Sequence, residues 1–137
     1  MPMYWRLKHW KTADRQRAID RLLGLRRLIA RSVPRRTAAE TLLLATWNLR
    51  DFDSNKFGHG PRLRESFHYI AEVIAAFDLV ALQEVNEDMR ALETLMDLLG
   101  PTWRYIATDV TEGPSGNNER MVFVFDSTKV QFKHIAG

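Results

Sequence analysis

The 137-residue sequence predicts an α/β (α+β) domain, a mixed β-sheet with helices on one face. Three observations lead there. Two short apolar runs, Thr41 to Trp47 and Asp78 to Val85, read as buried strands, and each is followed by an apolar stripe at helical spacing. The C-terminal third then alternates apolar residues with the period of two that strands require. Composition agrees: 45% apolar and 27% charged residues describe a globular chain able to bury a core. Cysteine is absent, which excludes disulfide frameworks, thiolate metal sites and cysteine nucleophiles. A cytoplasmic location is expected.

The elements follow in order. Residues 1 to 39 hold eleven Lys and Arg against two Asp, a balance of +9, whereas residues 40 to 137 hold nine against fifteen, a balance of −6. The basicity thus belongs to a leader, 1–39, and not to the body, 40–137. No apolar run in the leader is long enough for a signal peptide or a membrane span. Ile19, Leu22, Leu23, Ile29 and Ala30 recur at roughly helical spacing among Arg15, Arg21, Arg26, Arg27 and Arg31, which predicts a basic amphipathic helix. Gly24 weakens it and Ser32-Val33-Pro34 ends it. The plain reading is a solvated helix appended to the core; nucleic-acid phosphates or a membrane surface are the partners such a helix can take.

In the body, the strand over 41–47 gives way to a loop over 51–61 that contains Gly58, Gly60 and Pro61. Leu63, Phe67, Ile70, Ile74 and Phe77 then form one stripe of a helix. After the second strand, Asn86 is expected to cap a helix carrying Met89, Leu92, Met96 and Leu99, stopped by Gly100-Pro101. A third strand is expected over Trp103 to Val110, then a polar loop, "TEGPSGNNE". "RMVFVFDSTKVQF" reads as a hairpin turning at Asp126-Ser127-Thr128 and returning through Val130 and Phe132. Both faces of this sheet are apolar, yet only two body helices can cover it. One face is expected to lack cover.

Chemistry is expected where the two buried strands end, at Asn48 and at Gln83-Glu84, because ligands of open α/β sheets bind beyond the carboxyl ends of the strands. An amide oxygen, one carboxylate and open water positions suit Mg²⁺. Residue chemistry alone favours a turn former at Asn48 and a solvated carboxylate at Glu84, and Glu119 in "GNNERM" has the same ambiguity. His59, His68 and His134 are expected at the surface. Lys56 and "GHGPR" do not form a phosphate-binding loop, which needs Gly-Lys-Ser/Thr opening a helix behind a strand.

The order "TWNLRDF", "IAEVIAAFDLVALQEVNED" and "LGPTWRYIATDVTEGPSGNNERMVFVFDSTKVQF" resembles the endonuclease/exonuclease/phosphatase superfamily and its DNase I-like members, from about Leu42 to the end. The resemblance implies a four-layer α/β/β/α sandwich of two similar halves, of which this sequence matches about the N-terminal one. It implies that Asn48 contacts the scissile phosphate and helps order the metal site, that Glu84 binds Mg²⁺ or Mn²⁺, and that Glu119 orients a catalytic histidine. Two positions depart from the DNase I pattern: Asn86 stands where an arginine touches DNA, and Asn117 stands where an aromatic residue packs on the duplex. The catalytic histidine, the Gly-Asp-x-Asn strand end and the closing Ser-Asp-His have no counterpart in these 137 residues.

The expected function is a metal-dependent phosphodiester hydrolase of the nuclease type, acting on DNA or another phosphodiester. These residues are expected to form an N-terminal fragment, inactive without the C-terminal half. Two alternatives accompany it: a phosphatase of the same superfamily acting on inositol phosphates or sphingolipid headgroups, and a non-catalytic module that binds a partner or nucleic acid.

Overall fold

The computed structural model describes residues 1–52, 64–86, 89–108 and 119–133. A 3-10 helix (Trp5–His9) and a long helix α1 (Thr12–Ser32) precede β1 (Leu44–Phe52), α2 (Arg64–Ile74), β2 (Leu79–Asn86), α3 (Arg90–Leu99), β3 (Trp103–Ala107) and β4 (Glu119–Asp126). The strands form a mixed sheet in the order β1-β2-β4-β3, parallel between β1 and β2 and antiparallel between the others. The α/β class with a mixed sheet and helices is therefore observed.

Parallel neighbours need a crossover, which α2 supplies. Its stripe of Phe67, Ile70, Ala71 and Ile74 is buried, as is the stripe of α3 formed by Ala91, Leu92, Leu95, Leu98 and Leu99. Both pack on Leu49, Val80, Leu82, Val122, Val124 and Trp103 of the sheet. Each fully buried Leu or Ile here contributes roughly 1.5–3 kcal/mol. The last turn of α3 closes at Gly100, whose φ of 100° is the left-handed region that suits glycine, with its N–H donating to the Met96 carbonyl at 3.1 Å.

The residues alternating with that core face the other way. Leu44 (60% exposed), Thr46 and Asn48 of β1 and Met121 of β4 are exposed there, and no described helix lies over them. The leader instead docks behind α2, making a third layer on the helical side. Ala18 and Leu22 of α1 bury with Leu7 against Tyr69 of α2, with Tyr4 and Trp10 alongside. Ion pairs complete the contact. Glu65 of α2 accepts from Arg17 Nε at 3.1 Å and Tyr69 Oη at 2.9 Å; Glu72 accepts from Arg26 Nε at 2.6 Å and from the Tyr4 hydroxyl. Met3 N–H donates to the Leu98 carbonyl at 2.6 Å, satisfying an orphan acceptor at the end of α3. The basic helix thus turns part of its charge inward.

Four expectations are corrected. β1 does not end at Asn48 but runs to Phe52, because an edge strand can carry polar residues facing solvent while its backbone still pairs. Asn86 is the last residue of β2, paired with Glu119, and the N-cap of α3 is Met89. Residues 130–133 carry no strand: Lys129 and Val130 N–H bond back to the Asp126 carbonyl at 3.1 and 2.9 Å, and β4 finds its hairpin partner in β3 instead. His68 is buried, 3% exposed, because the leader places the Tyr4 and Trp10 rings against it at centroid distances of 5.6 and 5.0 Å. All but the first two residues of the loop expected over 51–61, with His59, the residues 109–118 with Asn117, and His134 lie outside the described residues.

Candidate active site

Parallel pairing of β1 with β2 sets Leu44 against Leu79 and proceeds in register to Asn48 against Gln83. There the ladder breaks. The next pair is Phe52 with Val85, so β1 advances four residues while β2 advances two. On the other side of β2, Leu82 pairs with Val122 and Val85 with Arg120, so β2 advances three residues against two. Glu84 therefore lies at a position where both ladders are irregular. β-Bulges of this kind re-aim side chains, and they concentrate at sheet ends and next to active sites.

β4 runs antiparallel to β2 and begins at this level, with Glu119 opposite Asn86. Asn48, Glu84 and Glu119 are thus brought to the same stretch of three adjacent strands, Asn48 one register step before Glu84 and four residues before the end of β1, although 71 residues separate the first from the last in sequence. Asn48 is exposed on the face away from the helices, since Trp47 and Leu49 on either side of it pack toward them. The placement rests on register. Parallel β1 and β2 present their carboxyl ends together, and the antiparallel β4 brings its beginning to the same place.

Arg120 was not singled out by the sequence. It pairs with Val85, one residue beyond Glu84, and its Nε is a buried donor with no hydrogen-bond partner among the described residues. The only sequence signal is its place beside Glu119, since an Arg entering a strand usually reads as a surface residue.

The well-satisfied buried charges lie at the other end of the sheet, about 20 Å away along β2 at the usual strand rise. Asp78 is fully buried; its carboxylate accepts from Leu43 N–H at 2.6 Å, Arg36 Nε at 2.8 Å and Lys129 Nζ at 2.9 Å. Burial alone would raise this carboxyl, but these three donors outweigh it and hold it below the ordinary carboxylate range. The same contest, won by Arg36 and Thr128, lowers Asp126. These groups tie the chain together, with every charge answered. The strand end holding Glu84 differs, since its backbone pairing is interrupted. Comparison with protein-family models finds no match to this chain, and comparison with curated proteins finds none either.

Proposed function

We propose that this chain carries the metal- and phosphate-contacting part of a divalent-metal-dependent phosphodiester hydrolase of the nuclease type. Its sheet and helices would then be about half of a four-layer α/β/β/α sandwich. One observation carries the reading: Asn48, Glu84 and Glu119 lie within a few register steps of one another on three adjacent strands, where both ladders through Glu84 are irregular.

The donor set fits a hard cation. An amide oxygen from Asn48 and a carboxylate from Glu84 are oxygen ligands that leave several positions to water, the arrangement Mg²⁺ and Mn²⁺ accept. When bound, such an ion neutralises charge on the phosphoryl oxygens and lowers the barrier to in-line attack by water. Glu84 supplies the negative charge that holds it. Asn48 donates from its amide nitrogen to a phosphate oxygen and fixes the orientation of the scissile group. Glu119 would accept a hydrogen bond from the N–H of an imidazole, fixing its tautomer and stabilising its charged form. No histidine in this sequence corresponds to the one that Glu119 would orient, so these residues by themselves are expected to leave a phosphodiester uncut.

Mn²⁺ titration, read by calorimetry, tests the metal site directly. One site is expected, weakened about tenfold or more in Glu84→Ala while the melting temperature stays unchanged, the effect expected on losing a ligating carboxylate. Equal Mn²⁺ affinity in Glu84→Ala would overturn the assignment. A plasmid incubated with the chain and Mg²⁺ is expected to remain supercoiled; nicking abolished by Glu84→Ala would retain the site and overturn the inactivity.

The exposed apolar residues on the sheet's other face favour one second reading, a non-catalytic module that binds a partner chain there, with Leu44 and Met121 as contacts. A stable dimer lost in Leu44→Lys, together with DNA binding indifferent to Glu84→Ala, would select it over the hydrolase.

A further inference from the structure

A second site lies away from these strand ends, and nothing in the hydrolase reading uses it. A cavity of about 570 Å³ opens between the 3-10 helix and the helices α2 and α3. That volume suits a small organic molecule. Its walls are aromatic, from Trp5 and Trp10, and Arg6, Arg64 and Arg90 line it, with no acidic side chain among the described residues of its lining. Arg6 is bridged to Asp97 at 3.3 Å in an exposed pair, which solvent weakens. Arg64 lies over the Trp10 ring, 4.6 Å from its centroid, so stacking holds that guanidinium in one orientation. Arg64 and Arg90 are the first residues of α2 and α3, where the positive ends of two helix dipoles add to the guanidinium charge.

His68 also lines the cavity, and its wiring narrows the ligand further. Its Nδ1 lies 3.2 Å from the Arg64 carbonyl, which can only accept, so Nδ1 carries the proton. Nε2 is left as a buried acceptor with no donor among the described residues. Burial lowers the His68 pKa, in keeping with a neutral ring. A buried acceptor without a donor costs about 1–3 kcal/mol, which a hydroxyl or amino group on a ligand would recover.

We infer that this cavity binds a small aromatic phosphate monoester, of the class of nucleoside monophosphates, with the phosphate on the arginines, the ring against Trp5 and Trp10, and a ligand donor toward His68. A carboxylate fits less well. A phosphate monoester carries about −1.5 to −2 charge at neutral pH and three acceptor oxygens, which matches several guanidinium groups better than a single negative charge does.

The test is calorimetric titration of the whole chain with adenosine 5′-monophosphate in EDTA, so that no metal contributes. Saturable binding is expected, with adenosine and inorganic phosphate each about tenfold weaker or worse, because each lacks one half of the recognised chemistry. Arg64→Gln and Arg90→Gln should each weaken the nucleotide about tenfold, with melting curves confirming the fold, whereas Glu84→Ala should leave it unchanged. An oligonucleotide bearing a 5′-phosphate is compared with its 5′-hydroxyl form. Binding of the phosphorylated form as tightly as the nucleotide would assign the site to a strand end; binding of the nucleotide alone would assign it to free nucleotide. Absence of saturable nucleotide binding, or equal affinity in both arginine variants, would overturn the inference.

Discussion

Arg36 donates through Nε to Asp78 Oδ1 at 2.8 Å while its Nη2 reaches Asp126 Oδ2 at 2.7 Å, so one guanidinium joins the segment behind the leader helix to the start of β2 and the end of β4. Lys129 adds a second cation to Asp78 from the turn beyond β4. The pair decides how the leader segment meets the body, because Asp78 is inaccessible and depends wholly on its protein donors.

Removing one member of such a buried network leaves the others uncompensated. Asp78→Ala is expected to cost about 3–5 kcal/mol, as for other broken buried ion pairs. Arg36→Ala should cost less, because its side chain is 29% exposed and water can reach what remains. The double variant should fall short of the sum, since the two residues share one interaction. Urea denaturation measures all three; a cost below about 1 kcal/mol for Asp78→Ala would place it with ordinary surface changes and contradict the account.

The same groups set an acid limit. Asp78 and Asp126 are held low against the effect of burial, and Arg17 holds Glu65 low. A carboxyl depressed in the folded state contributes stability that is full above its unfolded value, about 3.9 for Asp and 4.3 for Glu, and is lost as pH falls through the lower folded value. Buried His68 acts in the same direction at higher pH: its folded pKa is lowered, so the unfolded chain takes up the proton first and stability begins to decline below about pH 6.5. Thermal melts should therefore show a plateau near neutrality, a shallow loss below about pH 6.5 and a steep one below about pH 4. Asp78→Asn should flatten the steep limb; a limb of unchanged slope would remove Asp78 from the explanation.

What the sequence made legible follows from local periodicity. The stripe through Phe67, Ile70 and Ile74 and the apolar runs through Val80-Leu82 and Val122-Val124 each declare their own element, because helical and strand periods are visible within a few residues. Gly100 marked its helix end for the same reason. The role of Asp78 was not legible, since its partners Leu43, Arg36 and Lys129 lie 35, 42 and 51 residues away and nothing local marks them. His68 was misjudged because its exposure was inferred from its own helix, whereas the leader covers it. The Asn48–Glu84–Glu119 grouping was readable only through strand order; the irregular ladders around Glu84 carry no sequence mark.

The docking of the leader gives a further test. Leu22 is buried in a small cluster with Leu7 and Ala18, beside polar and half-buried neighbours that can close around a void. Leu22→Ala is thus expected near the lower end of the usual range for buried leucines, about 2 kcal/mol, whereas Leu92→Ala in the main core should cost about 3–5 kcal/mol. Chemical denaturation compares the two directly. Equal losses would mean that the leader and main core share one packing environment.

Asn48 separates a chemical role from a structural one. It lies on the exposed side of an edge strand, so its replacement should move stability by no more than about 1.5 kcal/mol, the net worth of one hydrogen bond. Cation affinity should respond much more, and in opposite directions. If Asn48 serves the proposed cation site, Asn48→Ala is expected to weaken Mn²⁺ several-fold, whereas Asn48→Asp, which places a second carboxylate next to Glu84 in the register, is expected to tighten it, because ligand charge sets affinity for a hard cation. The gain should vanish in Asn48→Asp combined with Glu84→Ala if the two positions serve one ion. Titration of Mn²⁺ into the three variants and the parent chain decides the matter: if Asn48→Asp binds no more tightly than the parent, Asn48 is a strand residue with no share in the proposed cation site, and Glu84 has to find its second ligand elsewhere.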